Sequence, residues 1–266
     1  MLMKLHKFSK WHLAVRVLPF VFLVIGAKYL IHLFDFEILG LSPLFTALIS
    51  ANIFLIGFLI SGVLADYKES EKIPGDLANS IESLADECAI IVKNKKAPAA
   101  KKFFKEIDEF ITSLIRWFHR EERTRNIYDR LTSFNTSFLA FEPLTQANFI
   151  VRMKQEQNTI RRFITRIHTI RETSFNSSGY AIVELITVVL SLGLVFVKID
   201  PFHESVFFIG FVTFVLVYMI LLIHDLDNPF DYKKTATIDE ISLKPLVDLQ
   251  QRLKSKISSE KRTKGL

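Results

Sequence analysis

Cysteine is nearly absent from this sequence: Cys88 stands alone among 266 residues. One thiol excludes an intramolecular disulfide and any metal site built from cysteines. Catalytic signatures are missing as well. There is no metalloprotease helix motif, no nucleophile elbow and no phosphate-binding loop, so the chain is expected to be no enzyme and to hold neither cofactor nor metal. Repeats and low-complexity tracts are lacking, and residues 66–179 carry no alternating strand pattern. The absence that decides the class is that of charge. Residues 41–65 run for 25 positions without one charged side chain, and residues 206–223 for 18.

Half of the chain is hydrophobic, with 25 phenylalanines, yet 23% is charged. The apolar excess is therefore concentrated rather than spread. Two further runs complete the picture: residues 17–34, interrupted by Lys28 and His32, and residues 180–197, interrupted by Glu184. A spanning helix needs about 20 mostly apolar residues at ~1.5 Å rise. The expected fold class is all-α, a polytopic membrane protein with four transmembrane helices and long cytosolic helices. The first run is expected to persist rather than be cleaved as a signal peptide, because Gly26, Ala27, Lys28 and Tyr29 lead straight into Leu30 and Ile31 without a small-residue cleavage site.

Charge sets the expected orientation. Lys4, Lys7, Lys10 and Arg16 precede the first run, whereas residues 35–42 hold Asp35 and Glu37 and no basic residue. Lys68 and Lys72 follow the second run, Arg166 and Arg171 precede the third, and Lys233 and Lys234 follow the fourth, ahead of a basic tail over residues 252–264. The positive-inside rule then places both termini and the central segment in the cytosol, with two short hairpins outside. The net charge of +6 is read as Lys and Arg facing anionic lipid headgroups, not nucleic acid. A cell membrane, plasma or bacterial inner, is the expected location.

These features divide the chain into residues 1–65 (cytosolic N-terminus and spans one and two), 66–179 (a cytosolic helical region), 180–224 (spans three and four) and 225–266 (a cytosolic C-terminal segment). Within 66–179, apolar residues recur at helical spacing: Leu77, Ile81, Leu84, Cys88 and Ile91; Phe103, Ile107, Phe110, Leu114 and Trp117; Ile160, Ile164 and Ile167. Pro74 suits a helix's first turn, and Pro98 and Pro143 mark breaks or starts. A last helix is expected to bury Leu246, Leu249, Leu253 and Ile257. Lys28, near the outer end of its span, is expected to snorkel to the external interface. Glu184 lies about one turn inside the third span. It faces the bundle or a water path, or else is an interfacial carboxylate bonded to its neighbours. His224, Asp225 and Asp227 read as a helix cap and solvated charges rather than metal ligands.

The second span carries the most information. At roughly 100° per residue, Ala47, Ser50, Ala51, Phe54, Gly57, Phe58, Ser61 and Ala65 fall within an arc of about 120°. Bulky aliphatic residues fill the rest, with Asn52 among them. Small residues let helices approach closely in lipid. Two phenylalanines one turn apart fit either a ring of copies closing an apolar constriction or packing knobs at a helix–helix interface.

Phe54, Leu55, Ile56, Gly57 and Phe58 resemble the pore-helix motif of bestrophins. Glu69, Lys72 and Gly75 fall at the spacing of a Glu, Lys and Gly that follow this motif in many bacterial members. Asn228, Pro229 and Phe230, directly after the fourth span, resemble the family's Asn-Pro-Phe. The resemblance implies a homopentameric ion channel with second spans lining the pore and inorganic ions, chloride above all, as cargo. It assigns the hydrophobic neck to Phe54 and Phe58, with Ser50 at the third, outermost position, and pore-helix packing to Gly57, Ala47, Ala51 and Ser61. Ser50 departs from the bulky apolar residue usual there and implies a wider, wetter outer neck. Asp231, Tyr232, Lys233 and Lys234 depart from the acidic run of animal members, so no calcium clasp is expected. The alternative to a channel is a membrane-anchored scaffold whose cytosolic helices bind a partner.

Overall fold

The computed structural model describes residues 11–95, 98–173, 177–230, 232 and 241–262. Lys4, Lys7 and Lys10, Asp231, Lys233 and Lys234, the side chain of Ile257 and those of the tail beyond it lie outside the described residues. The described helices are α1 (His12–Leu33), α2 (Pro43–Lys95), α3 (Pro98–Phe118), α4 (Thr124–Phe141), α5 (Ala147–Glu172), α6 (Ser177–Phe196), α7 (Phe202–Asp227) and α8 (Lys244–Arg262). A 3₁₀ turn over Glu142–Leu144 links α4 to α5. Two residue pairs form the β structure, β1 (Leu39–Gly40) parallel to β2 (Val197–Lys198). Four helices are long and apolar enough to cross a membrane, so the all-α, four-span expectation holds. The chain forms two compact units.

The span unit contains α1, the first part of α2, α6 and α7. Its apolar helices bury only one side: Leu13, Val17 and Val21 of α1 face inward while Phe20, Phe22 and Leu23 stay exposed. Gly210 permits the close seat of α7 on α1, since a Cβ there would stand 3.0 Å from Ile25 Cδ1. The turn after α1 is a Schellman closure: Phe36 N–H donates to Ile31 C=O at 3.0 Å and Asp35 N–H to His32 C=O at 3.1 Å. Asp35 takes the left-handed conformation (φ 53°) that such a turn needs. The chain is thereby folded back, placing Glu37 against α1.

The second unit contains the rest of α2 with α3, α4, α5 and α8. The helical stripes read from the sequence form its core. Leu77, Ile81, Leu84, Cys88, Ile91, Phe103, Ile107, Phe110, Leu114, Trp117, Ile160, Ile164 and Ile167 are all buried, as are Leu246, Leu249 and Leu253 of α8. Phe103 meets Phe134, Phe138 and Phe141 edge-to-face, at centroid distances of 5.0, 5.5 and 5.5 Å. Such pairs add ~0.5–1.5 kcal/mol beyond burial. Arginines from other helices reach acidic residues of α2: Arg166 to Glu69 at 2.9 Å, Arg252 to Glu82 at 2.7 Å and Arg152 to Glu87 at 3.2 Å. These pairs are exposed and fix neighbours more than they stabilise.

Pro98 opens α3 and Pro143 sits in the 3₁₀ turn, as their positions predict. Pro74 does not open a helix. It lies inside α2, at a cost of about 3 kcal/mol. Ile73, Leu77, Ala78 and Ile81 around it are buried, and at ~1.5–3 kcal/mol for each large side chain that packing outweighs the penalty.

Candidate functional site

The membrane part of α2 has two opposite faces. Asn52, Ile56, Leu59 and Val63, spaced four, three and four apart, are buried. The three aliphatic ones pack with Tyr180 and Val183 of α6 and Leu216, Ile223 and Leu226 of α7. Roughly 180° away on the same helix, Ala47, Ser50, Ala51, Phe54, Gly57, Phe58, Ser61 and Ala65 are all exposed. Phe54 and Phe58 expose 73% and 68% of their surface. A Cβ built on Gly57 would meet nothing within 4 Å. Ser50 Oγ donates to Thr46 C=O at 3.0 Å, and Thr46 Oγ1 to Ser42 C=O at 3.3 Å. Both hydroxyls thus donate to the carbonyl four residues earlier, and both residues are exposed.

The intramembrane charges are handled differently from one another. Lys28 does not snorkel: it is 0% exposed. Its ammonium donates to the Glu37 carboxylate and, at 2.6 Å, to the backbone C=O of Val197. The Schellman turn supplies the carboxylate and the β1–β2 pairing sets Val197 beside it, so an inward ammonium finds two acceptors without reaching water. His32 Nδ1 stands 3.2 Å from the other Glu37 oxygen, its ring stacked on Phe202 at 3.9 Å. Burial raises the Glu37 carboxyl, but hydrogen bonds from Lys28 and His32 and their charges outweigh it and hold the group below the ordinary carboxylate range.

Glu184 faces His224 across α6 and α7, Oε1 to Nε2 at 2.6 Å, both side chains 47% exposed. Of the readings open from sequence, the hydrogen-bonded carboxylate is the one these contacts fit. Tyr180 donates to Asp227 Oδ1 at 2.7 Å one turn nearer the helix ends. Among the described residues no group of three or more His, Cys, Asp or Glu could hold a metal ion. Asn228 caps α7. Pro229 accepts the Ile241 N–H at 3.3 Å, and Phe230 is fully buried against Phe118, centroids 5.8 Å apart. Phe230 therefore works as a core knob of the second unit.

Three partnerships escape the sequence reading: Glu37 with Lys28, His224 with Glu184, and Thr187 with Asn52, whose Nδ2 donates to Thr187 Oγ1 at 2.9 Å. A lone polar residue on an otherwise aliphatic helix face is the signal that marks Asn52. Lys28 with Glu37 becomes visible only once the turn after α1 folds back, and Glu184 with His224 only once α6 and α7 are paired.

Four apolar helices, one of them (α2) with its small-and-phenylalanine face uncovered, define a polytopic membrane protein. The chain belongs to the bestrophin-like family: residues 14–232 match the Bestrophin-like domain. Solved structures agree on the fold. A tryptophan-to-alanine variant of a bacterial bestrophin homologue from Klebsiella pneumoniae superposes with a TM-score of 0.74 at 14% identity, over 94% of this chain and 98% of that one. An isoleucine-to-alanine variant of the homologue gives 0.71 at 14% identity, over 90% and 96%. A crystal structure described as a membrane protein, with a leucine-to-alanine change, gives 0.76 at 13% identity, over 91% and 97%. No curated protein matches the sequence. The family is one of ion channels rather than enzymes, and membership points to a multi-pass membrane protein of that class.

Proposed function

We propose that the protein is a homopentameric ion channel whose five copies of α2 surround a central pore. Phe54 and Phe58 form a hydrophobic neck, and Ser50 forms a wider outer ring. The observation that carries this reading is the division of α2 into a buried aliphatic face and an exposed face of small residues and phenylalanines. Gly57, Ala47, Ala51 and Ser61 leave room for neighbouring copies to approach. The conducted ions are anions, chloride foremost: phenyl edges are electropositive and can face a partly dehydrated anion. Gating proceeds by dewetting of the neck. Both termini and the second unit lie in the cytosol of a plasma or bacterial inner membrane, as the distribution of Lys and Arg supports.

The test is reversal potential in a planar bilayer under a chloride gradient, combined with subunit count in mild detergent. Five copies and a current reversing near the chloride equilibrium potential support the proposal, and Phe54→Ala with Phe58→Ala should then change conductance. A current reversing near the cation potential would keep the channel and overturn its selectivity. Silence from folded, inserted protein that counts as a monomer or dimer would favour a scaffold.

A further inference from the structure

The buried side of α2 carries one feature that packing alone does not explain. α2 faces α6 along a seam of every seventh residue: Phe45, Asn52 and Leu59. At the outer end Phe45 lies on Gly193, where a Cβ would stand 2.9 Å from the ring's Cε2. At the inner end Leu59 shares a small cleft with Tyr180 and Val183. Between them, where a third apolar knob would complete the seam, stands Asn52, fully buried and donating to the buried Thr187 at 2.9 Å. Asn52 Oδ1 has no hydrogen-bond partner among the described residues. A leucine at this position would fill the seam without stranding a polar atom. An asparagine in an apolar heptad seam gives up stability and specifies one register, because any slip or rotation strands both ends of its bond.

We infer that Asn52, through Thr187, is the positioning residue that fixes the rotation of α2 about its own axis, and so aims Phe54 and Phe58 at the conduction path. The inference rests on the pore reading above. Asn52 is two residues from Phe54 on the opposite side of the helix, so it acts at the level of the neck without touching the ions. With the amide replaced, the seam becomes aliphatic throughout and α2 samples neighbouring rotations.

The experiment reads rotation directly. Single cysteines are placed at Phe54→Cys, Ile53→Cys and Leu55→Cys in the full chain in liposomes, and their modification rates by a water-soluble methanethiosulfonate are compared. Native Cys88 is buried, and the protein without added cysteine serves as the blank. With Asn52 present, position 54 reacts fastest. In Asn52→Leu and in Thr187→Val the preference for position 54 should fall by roughly threefold to twentyfold, the span measured for interhelical hydrogen bonds in membranes. Thr187→Ser, which keeps the hydroxyl, should retain it. An unchanged preference in either apolar variant overturns the inference. If Asn52→Leu does not assemble, Thr187→Val alone decides. Should Phe54→Cys be inert even with Asn52 in place, the pore reading itself falls and Asn52 has no neck to aim.

Discussion

Replacing Lys28 by methionine should destabilise the span unit sharply, and the geometry says why. The ammonium is wholly buried and holds two acceptors, the Glu37 carboxylate and the Val197 carbonyl. Removing it leaves Glu37, whose side chain is only 5% exposed, facing His32 alone. Breaking a buried pair from one side costs about 3–5 kcal/mol. Even ~3 kcal/mol corresponds to a fall of roughly 6–12 °C in Tm for a chain of this size. Lys28→Met with Glu37→Gln should recover most of that loss, since neither partner is then left charged and unmatched. Thermal unfolding in one detergent, followed by tryptophan fluorescence or light scattering, measures all three. A Lys28→Met variant melting within about 2 °C of the parent would refute the buried pair and restore the expectation that the ammonium snorkels to the interface.

The pH dependence of the same pair has a definite sign. Lys28 and His32 hold the folded Glu37 carboxyl below its ordinary value. Its contribution is therefore complete above the unfolded value of about 4.3 and is lost as pH falls through the lower folded value. The stability gap between the parent and Glu37→Gln should stay flat from neutral pH to about pH 5 and close only in stronger acid. A gap that already closes between pH 7 and 5 would mean that the carboxyl is raised, not lowered.

Four further substitutions separate packed positions from exposed ones. Phe103→Ala removes a fully buried ring that meets three other phenylalanines and should cost about 3–5 kcal/mol, whereas Lys102→Ala, whose side chain is 72% exposed, should stay within ~0.5 kcal/mol. Differential denaturation of the two variants checks this, and equal effects would contradict the core described for the second unit. Gly193→Ala should cost roughly 1–3 kcal/mol by driving a methyl into Phe45. A Cβ at Gly57 would meet nothing within 4 Å in the protomer, and the residue is exposed, so Gly57→Leu should leave its folding intact. If the proposed pentamer forms, its loss in Gly57→Leu, read by native mass spectrometry, would show that another copy reaches this face; its retention would remove Gly57 from the subunit contact.

The spans were legible because lipid demands long uncharged runs, and residues 41–65 and 206–223, with two further apolar runs beside them, fit that demand together. The helical core was legible because Leu77, Ile81, Leu84 and Cys88, or Phe103, Ile107 and Phe110, recur at the period of one buried face. Pro74 misled because local propensity points to a helix start, while the buried side chains around it hold the helix together. Lys28 misled for a related reason. Snorkelling follows from depth alone, but its partner lies beyond a turn built on a left-handed aspartate, and nothing in the spacing of Lys28 and Glu37 announces that fold-back. Asn52 and Thr187 are 135 residues apart, and a single sequence cannot pair such positions.

The polar ties of the span unit have a common logic. Helices in lipid gain little from apolar contact with one another, so register must come from shape and from hydrogen bonds. Lys28 with Glu37 and Val197 ties the α1–α2 and α6–α7 connections, Asn52 with Thr187 ties the middle of α2's span to α6, and Glu184 with His224 and Tyr180 with Asp227 tie α6 to α7 toward their other ends. None of these bonds uses the face of α2 that carries Phe54 and Phe58. The Ser50 hydroxyl on that face, and that of Thr46 beside it, bond to backbone carbonyls four residues earlier instead. Lipid alone could cover phenylalanine and alanine at no cost, so exposure by itself does not distinguish a lipid-facing helix from a pore-facing one. A run of small residues, Ala47, Ala51, Gly57 and Ser61, offers acyl chains little to pack against. Such residues are of use where another helix comes close or where an ion passes with part of its water, and this is the ground on which the pore reading of α2 stands.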